Sequence, residues 1–146
     1  MQNVLTRRRV LILGGVGAGA AAMMLNVGAA QADGPVMTPA EAHAAAAAGD
    51  ILLVDIRRPD EWAATGIGEH GVGIDMRAED FVAQVQAARR GDQPIAVICA
   101  RGVRSARTTK RLTQAGIGTI IDVPEGMLGS RAGPGWLGRG LPVVQP

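Results

Sequence analysis

Cys99 is the only cysteine in the chain of 146 residues, and it stands in the segment Cys99-Ala100-Arg101-Gly102-Val103-Arg104-Ser105. The apolar run Ile95 to Ile98, set off by Pro94, reads as a short buried strand. Ser105 to Ala115 reads as a helix carrying Arg107, Lys110 and Arg111. A loop between a strand end and a helix start collects backbone N–H groups that no helix bond satisfies, and the helix dipole adds positive charge. Such a loop favours an anion. A cysteine at its mouth, flanked by Arg101 and Arg104, is expected to ionise readily and serve as a nucleophile. The competing reading is a buried cysteine acting as a small hydrophobe at a strand end. That role requires neither Gly102 nor two arginines within five residues of the sulfur.

A second group with chemical potential is Asp55-Ile56-Arg57-Arg58-Pro59-Asp60-Glu61-Trp62. It follows the apolar run Ile51 to Val54, and Asp60 and Glu61 favour a helix start. Asp55, Arg57 and Glu61 are placed to form an ion-pair cluster at a strand's carboxyl end, where open α/β sheets build their sites. For Glu61 a structural salt bridge is the expected role, and Trp62 is expected in the core. Gly66 to Gly73 is a glycine-rich turn without the Gly-Lys-Ser/Thr ending of a phosphate loop. His43 lies in an alanine-rich helix with no metal-ligating partner nearby in sequence, so it reads as a surface or packing histidine. No metal site and no cofactor are expected.

The elements that must hold these groups alternate. Thr38-Pro39-Ala40-Glu41 is a capping box with proline at the first helical position, and Gly49 ends that helix. Val36-Met37 just before it is a candidate edge strand. Strands are expected at 51–55, 72–74, 95–98 and 119–123, with helices starting near Asp60 and spanning 80–90 and 105–115. The Gly- and Pro-rich tail from Glu125 to Val144 reads as a loop over the sheet. Together these predict an α/β fold of about five strands, mostly parallel, with helices on both faces.

Thr6-Arg7-Arg8-Arg9 opens the chain ahead of an uncharged, weakly apolar run that ends in Ala30-Gln31-Ala32. This is the pattern of an export signal. It resembles the bacterial twin-arginine type, cleaved after Ala32, leaving residues 33–146 as one domain in the periplasm. If the signal is retained, it is the only expected tie to a membrane. Losing Arg7, Arg8 and Arg9 turns the formal charge of +2 slightly negative. With Phe81, Trp62 and Trp136 as the only aromatics of their kind, nucleic-acid binding is not expected. A single cysteine excludes an internal disulfide.

Asp55-x-Arg57-x-x-x-Glu61-Trp62, followed by Cys99-x-x-Gly102-x-Arg104-Ser105 and a closing Gly140-Leu-Pro-Val-Val, resembles a single-domain rhodanese from about Val36 to Val144. The resemblance implies a rhodanese-like fold and sulfane-sulfur transfer through a persulfide on Cys99. It also implies an anion site made by Arg104, Arg101 and the amides of Ala100, Gly102, Val103 and Ser105, with Asp55 and Arg57 holding the neighbouring loop. The implied donor is a small anion such as thiosulfate. The acceptor is a thiol or cyanide, or a partner protein that takes up sulfur. Two alternatives stay open: a non-enzymatic sulfur-carrier or docking module, and a cysteine phosphatase or arsenate reductase, whose loop needs one residue more before its arginine. Two departures from the family pattern fall at Thr65 to Gly71, with His70 displaced, and at Ser130 to Trp136.

Overall fold

The computed structural model describes residues 34–146, so the signal segment read at 1–32 lies outside the described residues. Four strands form one parallel sheet: β1 (Leu52–Asp55), β3 (Gly71–Gly73), β4 (Ile95–Ile98) and β5 (Ile120–Asp122), in the order β3-β1-β4-β5. A short antiparallel pair joins β2 (Ile67–Gly68) to β6 (Val143–Val144). The fifth position is a single parallel bridge, Val36 to Asp122, where the Met37 amide donates to the Asp122 carbonyl at 2.9 Å. The sheet therefore has four strands, with the expected edge strand reduced to this bridge.

Both faces of the sheet are covered. Val54, Ile95 and Val97 point towards α3 (Phe81–Ala88) and α4 (Val103–Gln114), packing with Phe81, Val85 and Leu112. Leu53, Ala96 and Ile98 point the other way, towards α1 (Pro39–Ala48) and α5 (Gly135–Gly138), packing with Ala42, Met127 and Trp136. Strands buried on both faces explain why their sequences are continuous apolar runs and do not alternate. Among the described residues, no helix is long and apolar enough to cross a membrane.

The start of α1 follows from its capping box. The Glu41 amide donates to Thr38 Oγ1 at 3.3 Å, and the Thr38 amide donates to Glu41 Oε2 at 2.8 Å. Gly49, with φ of 79°, ends the helix in the left-handed conformation. Three expectations need correction. α4 begins at Val103, two residues before the expected Ser105, because Gly102 turns the chain at φ 86° directly into the helix. The tail contains α5 and β6 as well as loop. The core tryptophan is Trp136, fully buried; Trp62, in α2 (Pro59–Thr65), is only half-buried and lies over Gly73.

Candidate active site

Cys99 follows the last residue of β4 and packs in the α3–α4 core with 1% exposure. The chain then turns through Ala100, Arg101 and Gly102 into α4. This turn brings two backbone amides onto the sulfur: Gly102 N donates to Cys99 Sγ at 3.1 Å and Ser105 N at 3.3 Å. Donors aimed at one sulfur, at the positive end of a 12-residue helix, suit a negatively charged sulfur. Ser105 is fully buried and its hydroxyl donates to the Gly102 carbonyl at 3.0 Å, tightening the same turn. Glycine is required at 102. Besides its positive φ, a Cβ there would collide with the Pro124 carbonyl.

The segment 124–129 braces this loop from outside. Met127 N donates to the Cys99 carbonyl at 2.8 Å and Leu128 N to the Ala100 carbonyl at 2.9 Å. Glu125, 2% exposed, anchors that segment by accepting from Gly135 N at 3.0 Å and from Arg139 at 2.6 and 2.8 Å. Sequence reasoning missed this support. Its only local trace is the glycine pair Gly126 and Gly129, both at positive φ.

Arg104 and Arg101 have different surroundings. Arg104 is one-third exposed and forms a forked pair with Glu61 of α2, at 2.8 and 2.6 Å. That contact uses two of the five N–H groups of a guanidinium. Hydrogen bonds from Arg104 are the main reason the Glu61 carboxyl falls from 4.5 to about 2; burial opposes them, and the Arg58 amide adds to the lowering. The same pair raises Arg104 further. Arg101 points to the tail: its guanidinium donates to the Gly129 carbonyl at 3.2 Å and lines a cavity of about 820 Å³ with Asp122, Thr109 and Arg131. Cys99 does not line that cavity, which lies beside the loop. Burial raises the Asp122 carboxyl there above its usual range.

Asp55 and Arg57, both 1% exposed, form a buried pair at the end of β1. Arg57 Nε lies 3.0 Å from each Asp55 carboxylate oxygen, and its Nη2 lies 2.7 Å from Oδ2. The same guanidinium donates to Thr65 Oγ1 at 2.8 Å and to the Gly66 carbonyl at 2.7 Å, which ties the end of α2 to the sheet. Asp55 and Arg57 thus fix α2, α2 carries Glu61, and Glu61 holds Arg104 beside the sulfur loop. His43 is half-buried and packs edge-on against Trp136, as a packing histidine does. It has a ligating neighbour, Glu69 Oε2, at 3.1 Å, and its ring stacks on that of His70.

The Glu61–Arg104 pair has a definite pH signature. A carboxyl depressed on folding adds stability above its unfolded value and loses it as pH falls through the folded value. Glu61→Gln should therefore destabilise the protein at about pH 6, and the difference from wild type should narrow between about pH 4.5 and about pH 2. Urea unfolding of both proteins across this range measures it. A difference that does not change with pH would mean that the charge on Glu61 contributes nothing through Arg104.

Comparison with known proteins places the fold. The rhodanese-like domain family matches residues 38–130. The polysulfide-sulfur transferase homodimer of Wolinella succinogenes superposes with a TM-score of 0.60 at 26% identity, over 77% of this chain and 80% of that one. A rhodanese-related protein from Thermoplasma volcanium gives 0.55 at 25% identity, over 76% of this chain and 98% of its own. A Rhodopseudomonas palustris protein of unknown function, described as a possible tyrosine phosphatase, gives 0.56 at 25% identity, over 75% and 83%. No curated protein sequence matches the chain. With the family match covering well over half of its residues, the chain belongs to the rhodanese-like domain family.

Proposed function

We propose that this protein is a sulfurtransferase that moves sulfane sulfur from thiosulfate, or a related small anionic donor, to a thiol or cyanide through a persulfide on Cys99. The observation that carries this reading is the pair of amides, Gly102 N and Ser105 N, aimed at the Cys99 sulfur. The Cys99 thiolate attacks the outer sulfur of thiosulfate. A new sulfur–sulfur bond forms, the old one breaks, and sulfite leaves with its electron pair. An acceptor such as cyanide then attacks the outer sulfur, leaves as thiocyanate and restores the thiolate. This is covalent catalysis in two half-reactions. The N–H groups of Arg104 not used by Glu61, with the amides of the first α4 turn, are the donors for the anionic end of the substrate. Arg101, turned towards Gly129, is a more distant cation for the same purpose.

In one variant of this reading the persulfide is held in the loop and passed to a partner protein. Rapid transfer to a protein thiol with slow turnover on cyanide would identify that variant. For a phosphatase, the loop is a residue short: Arg104 is the fifth residue after the cysteine. The decisive measurement is the intact mass of the purified protein. Thiosulfate without acceptor should add one sulfur atom, and cyanide should remove it. A protein that gains sulfur from no sulfane donor would overturn the assignment.

Export by the twin-arginine route, with cleavage after Ala32 and a periplasmic site of action, belongs to the same reading. It rests on Thr6-Arg7-Arg8-Arg9 and Ala30-Gln31-Ala32. Arg7→Lys with Arg8→Lys should trap the precursor in the cytoplasm on cell fractionation. Mature protein outside the cytoplasm of cells lacking that translocase would refute the route.

A further inference from the structure

The two histidines of this chain are 27 positions apart in sequence, yet the fold brings them together around one carboxylate. We propose that His43, Glu69 and His70 form a site for a divalent transition-metal ion of the zinc type, clamping α1 to the turn between β2 and β3. Glu69 Oε2 lies 3.1 Å from His43 Nε2 and 3.5 Å from His70 Nε2, and all three ligand atoms fall within 4.8 Å of one another. Ligands bonded to tetrahedral zinc at their usual lengths sit about 3.4 Å apart. Two of the three spacings already match, and the third is no more than 4.8 Å.

The supports of these side chains argue for a built site. His43 stands on a capped helix, and its ring meets the fully buried Trp136 edge-on at a centroid distance of 5.5 Å. The two imidazoles stack at 5.5 Å with an interplanar angle of 27°, so both present Nε2 to the same carboxylate oxygen. The Glu69 amide donates to the Pro142 carbonyl at 3.0 Å, and the Trp136 indole donates to that same carbonyl at 2.9 Å. Among the described residues, His70 is the one non-glycine with positive φ, at 66°, and this conformation sets its position relative to α1. Side-chain exposures of 23%, 39% and 44% leave the cluster open on one side. Two imidazoles and a carboxylate with a free fourth position form the donor set of a three-ligand zinc site completed by water. Calcium and magnesium, which prefer oxygen ligands, fit it poorly.

The cluster is remote from the sulfur chemistry. His70 directly precedes β3, whose Gly71 is level with Leu53 of β1 and hence with Ala96 of β4. Cys99 lies beyond the far end of β4, so about three residues of parallel strand, or about 10 Å, separate the two levels before the distance across the sheet is added.

The test uses the full chain, freed of metal by chelator and carrying Cys99→Ser so that no thiolate competes. Calorimetric titration should find one zinc per chain. His43→Ala, Glu69→Gln and His70→Asn should each weaken binding by at least about tenfold. Zinc should raise the thermal midpoint of the parent and not of these variants; magnesium should have no effect. In the otherwise unaltered protein, zinc should shift the ring-proton NMR signals of both histidines, a readout that needs no variant to fold. His43→Ala should leave sulfur transfer intact in a chain that keeps Cys99. The proposal is overturned if about 1 mM zinc neither binds nor shifts those signals, or if folded His43→Ala and Glu69→Gln proteins bind as tightly as the parent.

Discussion

Replacing Cys99 by serine is expected to lower kcat/KM for thiosulfate-dependent sulfur transfer by at least about a thousandfold, with the fold intact. A hydroxyl at physiological pH is neither ionised nor able to form a sulfur–sulfur bond, so both half-reactions lose their nucleophile. No second cysteine exists to take over. Serine is preferable to alanine because the Gly102 and Ser105 amides need an acceptor: alanine would leave both facing a void, whereas a serine oxygen can accept from them. The variant should match wild type in its far-ultraviolet spectrum and melt within a few degrees of it. It should gain no mass on incubation with thiosulfate. Full activity in Cys99→Ser would refute the covalent route.

What was legible before the structure, and what was not, divides along the range of the interactions. The strands at 51–55, 95–98 and 119–123 announce themselves as apolar runs because burial on both faces acts on each residue locally. α1 announces itself through a capping box four residues long. The Cys99 loop is equally local: the amides that reach the sulfur come from three and six residues downstream. Glu61 and Arg104 are 43 residues apart, and no pattern in either segment names the other. The sequence marks Glu61 as a salt-bridging residue and groups it with Asp55 and Arg57. In the structure its carboxylate faces Arg104, and Arg57 reaches only its carbonyl. β6 is two residues long and exists through its pairing with β2, so no periodicity marks it. The His43–Glu69–His70 cluster was invisible for the same reason, since His43 and Glu69 are 26 residues apart and meet only when α1 packs beside the β2–β3 turn.

Arg57→Ala is expected to cost about 3–5 kcal/mol of stability, a large share of the roughly 5–15 kcal/mol that holds a typical domain together. The cost comes less from the lost attraction than from what is left behind. Asp55 would remain 1% exposed, with the residue-57 backbone amide, at 3.1 Å in the intact structure, as its remaining partner from this cluster. Thr65 and the Gly66 carbonyl would lose their bonds as well, freeing the end of α2. Arg57→Lys should recover only part, because an ammonium cannot reproduce a fork that spans Asp55, Thr65 and Gly66. Replacing both members, Asp55→Leu with Arg57→Met, should be less damaging than Arg57→Ala alone, since no buried charge is stranded. Urea unfolding of the four proteins measures the series, and a loss below about 1 kcal/mol in Arg57→Ala would show that the buried carboxylate finds other partners. The consequence for the site follows from the chain of contacts. With α2 loosened, Glu61 no longer holds Arg104 in place, so folded Arg57→Ala protein should show a raised KM for thiosulfate while Cys99 still takes up sulfur. If KM were unchanged despite the stability loss, Arg104 would be positioned by its own helix, and the buried pair would serve the fold alone.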